Sequence, residues 1–280
     1  MFKIEIQKFK NFLLYTFYFI LKIMLSIIIV SWNVKDLLKK CLESIYQNQG
    51  GLELEIFVVD NASTDGTPEM VKNNFPSVIL IDNKSNRGFA AANNQAIKLA
   101  KGEYILILNP DTEIVSDAFQ KSIEFMEQNQ KTGILGCQIL NPDKTIQPSV
   151  RRLPTFWPIF LIFLKLPKMF PNLLAVKCYL AAGFDYSKIQ SVDQVMGAFM
   201  LIKKEVFEKI GLFDERFFLW FEEVDLCRRA ASAGFEVLYH PEAKIIHYGG
   251  QSFSQQGNLK KQWMFFRSAV RYFLKTINKY

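Results

Sequence analysis

The chain has 280 residues, half of them apolar and 22% charged, with a formal net charge of +7; this is the composition of a folded protein and excludes a disordered one. Residues 251–280 hold six basic side chains and no acid, and residues 1–24 set four basic side chains against Glu5 alone, so the body between them is slightly acidic. A nucleic-acid-binding protein concentrates positive charge on its folded face, whereas basic tails rich in Phe, Tyr, Leu and Ile fit an anionic membrane surface.

Residues 12–21 are nearly all apolar and flanked by Lys8, Lys10 and Lys22. Ten residues are too few to span a bilayer, and no small-residue cleavage site follows. Residues 1–23 therefore read as an interfacial anchor or as an artefact of the start codon, because Met24 opens a complete first strand.

A continuous apolar run over 25–30 predicts a buried strand, and Asn33 is placed to cap a helix whose apolar residues Val34, Leu37, Leu38, Cys41, Leu42 and Ile45 recur at helical spacing until Gly50 and Gly51. The pattern repeats with strand 54–59, an Asn-, Ser-, Asp- and Gly-rich turn, a short helix after Pro68, strand 78–81, helix 89–100 and strand 104–108. Strands alternating with helices imply a parallel sheet covered on both faces, with ligands beyond the carboxyl ends of the strands. Four polar strand-end segments, 31–33, 60–67, 83–88 and 109–113, should therefore meet in one crevice.

A helix over 117–128 and a strand over 134–140 follow. Residues 153–183 differ in character, with four prolines interrupting aromatic and aliphatic residues; the stretch reads as a lid, a lipid-facing surface or core packing. Next come a strand over 192–202 containing Gly197 and Ala198, where small side chains admit a ligand, helix 204–210, helix 222–233, strand 235–240 and a separate strand 244–246 before His247. Cys41, Cys137, Cys178 and Cys227 form no Cys-x-x-Cys pair, so neither a zinc knuckle nor a disulfide framework is expected, and a reducing cytoplasm is the simple inference.

Three carboxylates, Glu222, Glu223 and Asp225, stand directly behind the five large apolar residues 217–221. Like charges crowded against a low-dielectric wall raise one another's pKa, which makes a general base plausible near neutral pH; a solvated helix start is the bland alternative. Helical spacing puts Glu222 and Asp225 on one face and turns Glu223 away. Asp111, in Asn109-Pro110-Asp111 at a strand end, can bind a hard divalent cation held between protein and diphosphate. His247, before Gly249 and Gly250, offers a nitrogen ligand that favours Mn2+ over Mg2+.

Taken in order, Ser26 to Asn33, Val59-Asp60-Asn61 with Asp65-Gly66, Asn86-Arg87-Gly88-Phe89, Asn109-Pro110-Asp111, Gly197-Ala198, Phe213-Asp214-Glu215 with Glu222-Glu223-Val224-Asp225, and His247 to Gly250 resemble the family 2 glycosyltransferases of the GT-A fold, in particular their rhamnosyltransferase-like branch. The resemblance spans about residues 25–270. It implies an α/β fold in which a Rossmann-like, mostly parallel nucleotide-binding sheet merges with an acceptor-binding mixed sheet: a domain over 25–250, with a nucleotide-sugar half at 25–113 and an acceptor and catalytic half at 114–250, and then a basic amphipathic helix in 251–280. It also implies inverting, metal-dependent transfer of a sugar, rhamnose or another hexose, from a dTDP- or UDP-sugar to a saccharide or lipid-linked saccharide in cell-surface polysaccharide synthesis. The enzyme would be cytoplasmic and peripheral on the inner face of the membrane.

By the same resemblance Asp60 holds the pyrimidine base, with Trp32 and Asn33 lining its pocket beside Ser31 and Asn61. Asn86, Arg87 and Gly88 lie near the diphosphate with Asn109, and Gly197, Ala198 and Trp220 meet the acceptor. Asp111 and His247 hold Mn2+ or Mg2+, and Glu223 is the base, with Glu222 second and Asp225 third. Asn109 replaces the first acid of the family's metal motif, and Glu223 replaces an Asp. Two rivals remain: a nucleotidyltransferase, disfavoured because no Gly-rich phosphate loop follows the first strand, and a membrane-associated nucleotide-sugar-binding protein without catalysis.

Overall fold

The computed structural model describes residues 23–250 and 257–277; the expected extension at 1–23 lies outside the described residues, apart from Ile23. Strand β1 (Met24–Ser31) leads to α1 (Lys35–Gln47), then β2 (Glu53–Asp60), α2 (Thr67–Asn74), β3 (Ile79–Asp82), α3 (Phe89–Ile97), β4 (Tyr104–Leu108) and β5 (Thr112–Val115). The second half supplies α4 (Ala118–Gln128), β6 (Thr132–Leu140), α5 (Phe156–Phe163), α6 (Leu174–Tyr179), β7 (Gln190–Ser191), β8 (Phe199–Lys203), α7 (Lys204–Ile210), α8 (Glu222–Ser232), β9 (Glu236–His247) and α9 (Asn258–Ile277).

One nine-stranded sheet runs in the order β3-β2-β1-β4-β8-β6-β9-β5, with β7 alongside β9. Strands β3, β2, β1 and β4 are parallel; β8 is antiparallel to both β4 and β6, and β9 runs parallel to β6. Alternation along β1 divides the core between two layers. Ile27 and Ile29 pack with Leu38, Leu42 and Ile45 of α1, while Ile28 packs with Ala90, Ala92 and Ala96 of α3. All three isoleucines are fully buried, and each such burial contributes about 1.5–3 kcal/mol, so the continuous apolar run reflects a strand covered on both faces.

Several expectations change. Asn33 does not cap α1: its backbone is left-handed at φ 53°, and its Oδ1 accepts the Thr64 amide at 2.7 Å, tying the β1 and β2 loops together. Gly197 and Ala198 precede β8 rather than lying within a strand. Strands 235–240 and 244–246 are one strand, β9, whose pairing with β6 shifts register between Cys137 and Gln138; such an irregularity bends a strand without ending it. Residues 112–115, of which 112 and 113 fall in the expected strand-end segment 109–113, form β5, because Thr112 pairs with His247 across the sheet edge. That pairing is not visible in local sequence.

Helix α9 docks by an aromatic cluster in which Phe217, Phe221 and Val224 pack with Ile159, Tyr179, Ala269 and Tyr272. Its outer side leaves Leu259, Trp263, Phe266, Leu274 and Ile277 exposed.

Candidate active site

The sheet gathers the carboxyl ends of β1, β2 and β4 together with the start of β8 and the end of β9. Beyond them lie two cavities. The first, of about 160 Å3, is lined by Ser31, Trp32, Asn61, Asn86, Asn109 and Asp111 among others. The second, of about 230 Å3, is lined by Arg151, Gln194, Gly197, Trp220, Glu222 and Glu223 among others. Phe89, Asn109 and Leu219 border both.

Asp60, at the end of β2 beside Ser31 and Asn61, is fully buried and is not among the residues lining either cavity. Its Oδ2 accepts the Ser63 amide at 2.8 Å, while Oδ1 has no hydrogen-bond partner among the described residues. Burial raises its pKa, opposed by the Ser63 contacts. A buried acceptor without a donor is costly. Asn61 braces the opposite wall: its Nδ2 donates to the Gly88 carbonyl at 3.2 Å and its Oδ1 accepts from Asn83 at 3.0 Å. Arg87 is exposed and is not among the residues lining either cavity.

Gly88 is required by contact. At φ 82° it is left-handed, and a Cβ there would come within 2.5 Å of the Phe218 carbonyl oxygen. The same carbonyl accepts the Phe89 amide at 2.8 Å, so the nucleotide-side loop clamps the aromatic lead-in to α8. From the other side Ser268 of α9 donates to the Leu219 carbonyl at 2.8 Å. Directly after these clamped carbonyls Trp220 and Phe221 are both left-handed, at φ 65° and 69°. Each costs about 1–3 kcal/mol for a residue bearing a Cβ, and this bend aims the start of α8 into the second cavity.

Glu222 and Glu223 consequently both face that cavity. The expectation that Glu223 turns away from Glu222 fails because the cavity meets the helix end-on, where adjacent first-turn residues both reach it. Asp225 faces elsewhere: fully buried, it accepts Arg229 Nε at 2.8 Å and Lys275 Nζ at 2.8 Å, and it borders neither cavity. The structure assigns it to a cation cluster and separates it from the two glutamates. Burial first, and then the Glu223 charge, push the Glu222 carboxyl well above the ordinary range. Burial also raises Glu223, while the backbone amides at the helix start and the Arg151 guanidinium work against the rise.

Asp111 and His247 meet at the rim of the first cavity, nearly buried, with Oδ1 and Nε2 3.3 Å apart. The Gln147 Oε1 atom lies 2.7 Å from His247 Nδ1, and Gln147 Nε2 donates to Asn141 Oδ1 at 2.8 Å. This orientation makes Oε1 the acceptor from Nδ1, and Nε2 lies 3.3 Å from both Asp111 Oδ1 and Asn109 Nδ2; an acceptor on the far ring nitrogen orients the imidazole as in histidines that bind metals. The donor set fits a divalent cation that takes two ligands from protein and the rest from a diphosphate. Among the described residues no group of three or more His, Cys, Asp or Glu side chains forms a cage.

The motifs did not reveal Gln147, Arg151, Gln194 or Leu219 as site residues, since β6, the loop after it and the α8 approach meet only in the folded sheet. Asn94, buried on α3, also escaped notice; it brackets Phe213 through its carbonyl at 2.9 Å and its amide at 3.1 Å, fixing the start of the segment that carries the acids.

Residues 26–211 match the family model described as Glycosyl transferase family 2. The chain is 28% identical over 275 residues to the rhamnosyltransferase WbbL of Escherichia coli, covering 92% of each. It is 27% identical over 210 residues to the N-acetylglucosaminyl-diphospho-decaprenol L-rhamnosyltransferase of Mycobacterium tuberculosis, covering 71% of this chain and 68% of the relative. In fold it resembles the mannosyltransferase PcManGT from Pyrobaculum calidifontis in complex with GDP-Man and Mn2+, with a TM-score of 0.60 at 22% identity, covering 91% of this chain and 64% of that one.

Proposed function

The chain belongs to glycosyl transferase family 2, and on that premise we propose that it transfers a hexose, with rhamnose first among the candidates, from a nucleoside diphosphate sugar to a hydroxyl of a saccharide or lipid-linked saccharide, with inversion. The observation that carries this reading is the shared border of the two cavities: Phe89, Asn109 and Leu219 line both the cavity of Asp111 and the cavity of Glu223. A sugar lying over that border presents one face to Glu223 while its leaving group lies toward Asp111.

In this mechanism Glu223 takes the proton of the acceptor hydroxyl. The freed oxygen attacks the anomeric carbon as the bond to the diphosphate breaks, and the nucleoside diphosphate departs with that electron pair. Glu222, kept protonated by burial and by its neighbour, donates a hydrogen bond that holds the acceptor. Asp60 Oδ1 receives the N–H of a pyrimidine base, with Trp32 beside it, which favours a dTDP- or UDP-sugar. Mn2+ or Mg2+ held by Asp111 and His247 would neutralise charge on the leaving diphosphate.

The acceptor side supports a membrane-facing role. Exposed Trp157, Phe160, Trp263 and Phe266 adjoin a helix carrying Lys260, Lys261, Arg267 and Arg271, a combination that binds anionic interfaces. Among the described residues no helix is long and apolar enough to cross a membrane, and peripheral association with the cytoplasmic face of the cell membrane is the reading this supports.

The test is a nucleotide-sugar panel in Mn2+ read by thermal stabilisation and by transfer to lipid-linked saccharide. The expected donor stabilises both the parent protein and Glu223→Gln, while the variant loses transfer by about 10^3-fold. Retained turnover in Glu223→Gln would move the base to Glu222, and absence of stabilisation by any nucleotide sugar would refute the donor site.

A further inference from the structure

Helices α5 and α9 enclose a groove of about 100 Å3 whose nine lining residues are all apolar, six of them phenylalanines: Phe156, Phe160, Phe163, Phe265, Phe266 and Phe273. Phe156, Phe160 and Phe266 are exposed, so solvent reaches the groove. A ring contact joins it to the cavity holding Glu223. The Trp220 ring, which lines that cavity, sits 5.6 Å from the ring of Phe265.

Arg151 stands at this junction. It lines the Glu223 cavity, faces Tyr179 of the aromatic cluster electrostatically, and lies five residues before the groove begins at Phe156. Its backbone forms an isolated bridge to Gln194, and the next residue is held on both sides: Arg152 donates its amide to the Tyr179 carbonyl at 2.9 Å, and Gln194 Nε2 donates to the Arg152 carbonyl at 2.7 Å. An exposed guanidinium between a polar cavity and a groove without a polar residue matches a ligand whose charge sits between a sugar and a hydrocarbon chain. Guanidinium recognises phosphate oxygens by paired hydrogen bonds.

We propose that Arg151 binds the diphosphate, and that the α5–α9 groove binds the first isoprenoid units, of a polyprenyl-diphosphate-linked saccharide acceptor whose sugar lies against Glu223. This deepens and rests on the acceptor reading given above. It also makes the acceptor's own charge part of the site: a phosphate on Arg151 offsets the cation that holds Glu223 down and so makes the base stronger when the acceptor is in place.

The test is a binding measurement that needs neither donor nor turnover, made on the full chain in a chelator so that diphosphate is not drawn to Asp111 through a metal. The probes are farnesyl diphosphate, farnesol and inorganic diphosphate. Farnesyl diphosphate is expected to bind at least tenfold more tightly than either half. Arg151→Ala should remove about tenfold from farnesyl diphosphate and nothing from farnesol, with Arg151→Lys intermediate. The surface pair Phe160→Ser and Val270→Ser should weaken both lipids and leave inorganic diphosphate unchanged. Equal binding of farnesyl diphosphate and farnesol, or indifference to both sets of variants, overturns the proposal. So does a groove variant that loses only binding to phosphatidylglycerol vesicles, since it would assign the groove to the bilayer. If farnesyl diphosphate fails to bind while transfer to an unlipidated saccharide proceeds, this inference alone falls; if transfer fails with every donor while the lipid binds, the functional reading falls instead.

Discussion

Lys275 of α9 places its ammonium 2.8 Å from Oδ2 of Asp225 on α8, joining the last helix of the described chain to the one that begins with Glu222 and Glu223. The same ammonium lies 2.8 Å from Oδ2 of Asp214, whose carboxylate also takes the Arg216 fork. Arg271 of α9 adds a hydrogen bond to the Arg216 carbonyl. The acid pair is therefore oriented from outside its own helix.

Lys275→Ala should leave Asp225 to Arg228 and Arg229 and loosen α9, costing about 1–3 kcal/mol in urea unfolding at pH 7. Transfer should fall with nucleotide binding unchanged. The Arg216 fork first, with further help from Lys275, holds the Asp214 carboxyl below its usual range. An unfolded Asp titrates near pH 4, so this stabilisation is fully present above about pH 4 and is lost as pH falls toward the depressed folded value. The variant should show a smaller loss on acidification than the parent; an identical acid profile would mean that Lys275 does not hold Asp214.

Arg151→Gln should displace the acidic limb of the pH–rate profile upward by about half a pH unit or more. Glu223 must be ionised to act, burial raises its pKa, and Arg151 is the cation that opposes the rise. Cys227 and Tyr179 also face it electrostatically, but neither carries charge in this range. An unmoved limb would show that Arg151 does not set the charge of the base.

Glu222→Gln should stabilise the protein at neutral and alkaline pH. The folded carboxyl has its pKa well above the ordinary value, whereas an unfolded Glu ionises near 4.3. Between those two values each pH unit therefore costs the folded state about 1.4 kcal/mol. The melting temperature of the variant should exceed that of the parent, by a margin that grows as pH rises above about 5 toward the raised folded value and vanishes below about pH 4. A margin independent of pH would point to packing instead.

Asp111→Ala should weaken Mn2+-dependent binding of the nucleoside diphosphate by about 10–100-fold while leaving binding in chelator unaltered. Gln147→Ala, which releases the His247 ring, should do the same by a smaller factor. Calorimetry with and without Mn2+ separates the two conditions, and unchanged affinity in Mn2+ would remove Asp111 from its assigned role.

The parallel half of the fold was legible because a strand buried on both faces must be apolar throughout and a crossover helix must be amphipathic; 25–30, 54–59 and 104–108 were found to within a residue or two. Strand β5 was not, since Thr112 pairs with His247 across 135 positions of sequence and nothing local requires it. Asn33 misled for the opposite reason: a good cap residue is also a residue that tolerates left-handed backbone, and contact with the β2 loop decided between the two.

The sequence by itself determined the order of strands and helices, the polar character of the strand ends, and which residue types stand there, because propensity and periodicity act over a few neighbours. Only the tertiary structure decided which acids work together. Glu222 and Glu223 share a cavity because Trp220 and Phe221 are bent left-handed directly after Phe218 and Leu219, whose carbonyls are held by Phe89 and Ser268. Asp225, three residues along, is claimed by Lys275 from the far end of the described chain. Charge and burial act through space, so residues that look equivalent along four positions of sequence divide between a pair lining one cavity and a structural anchor only when the helix acquires its surroundings.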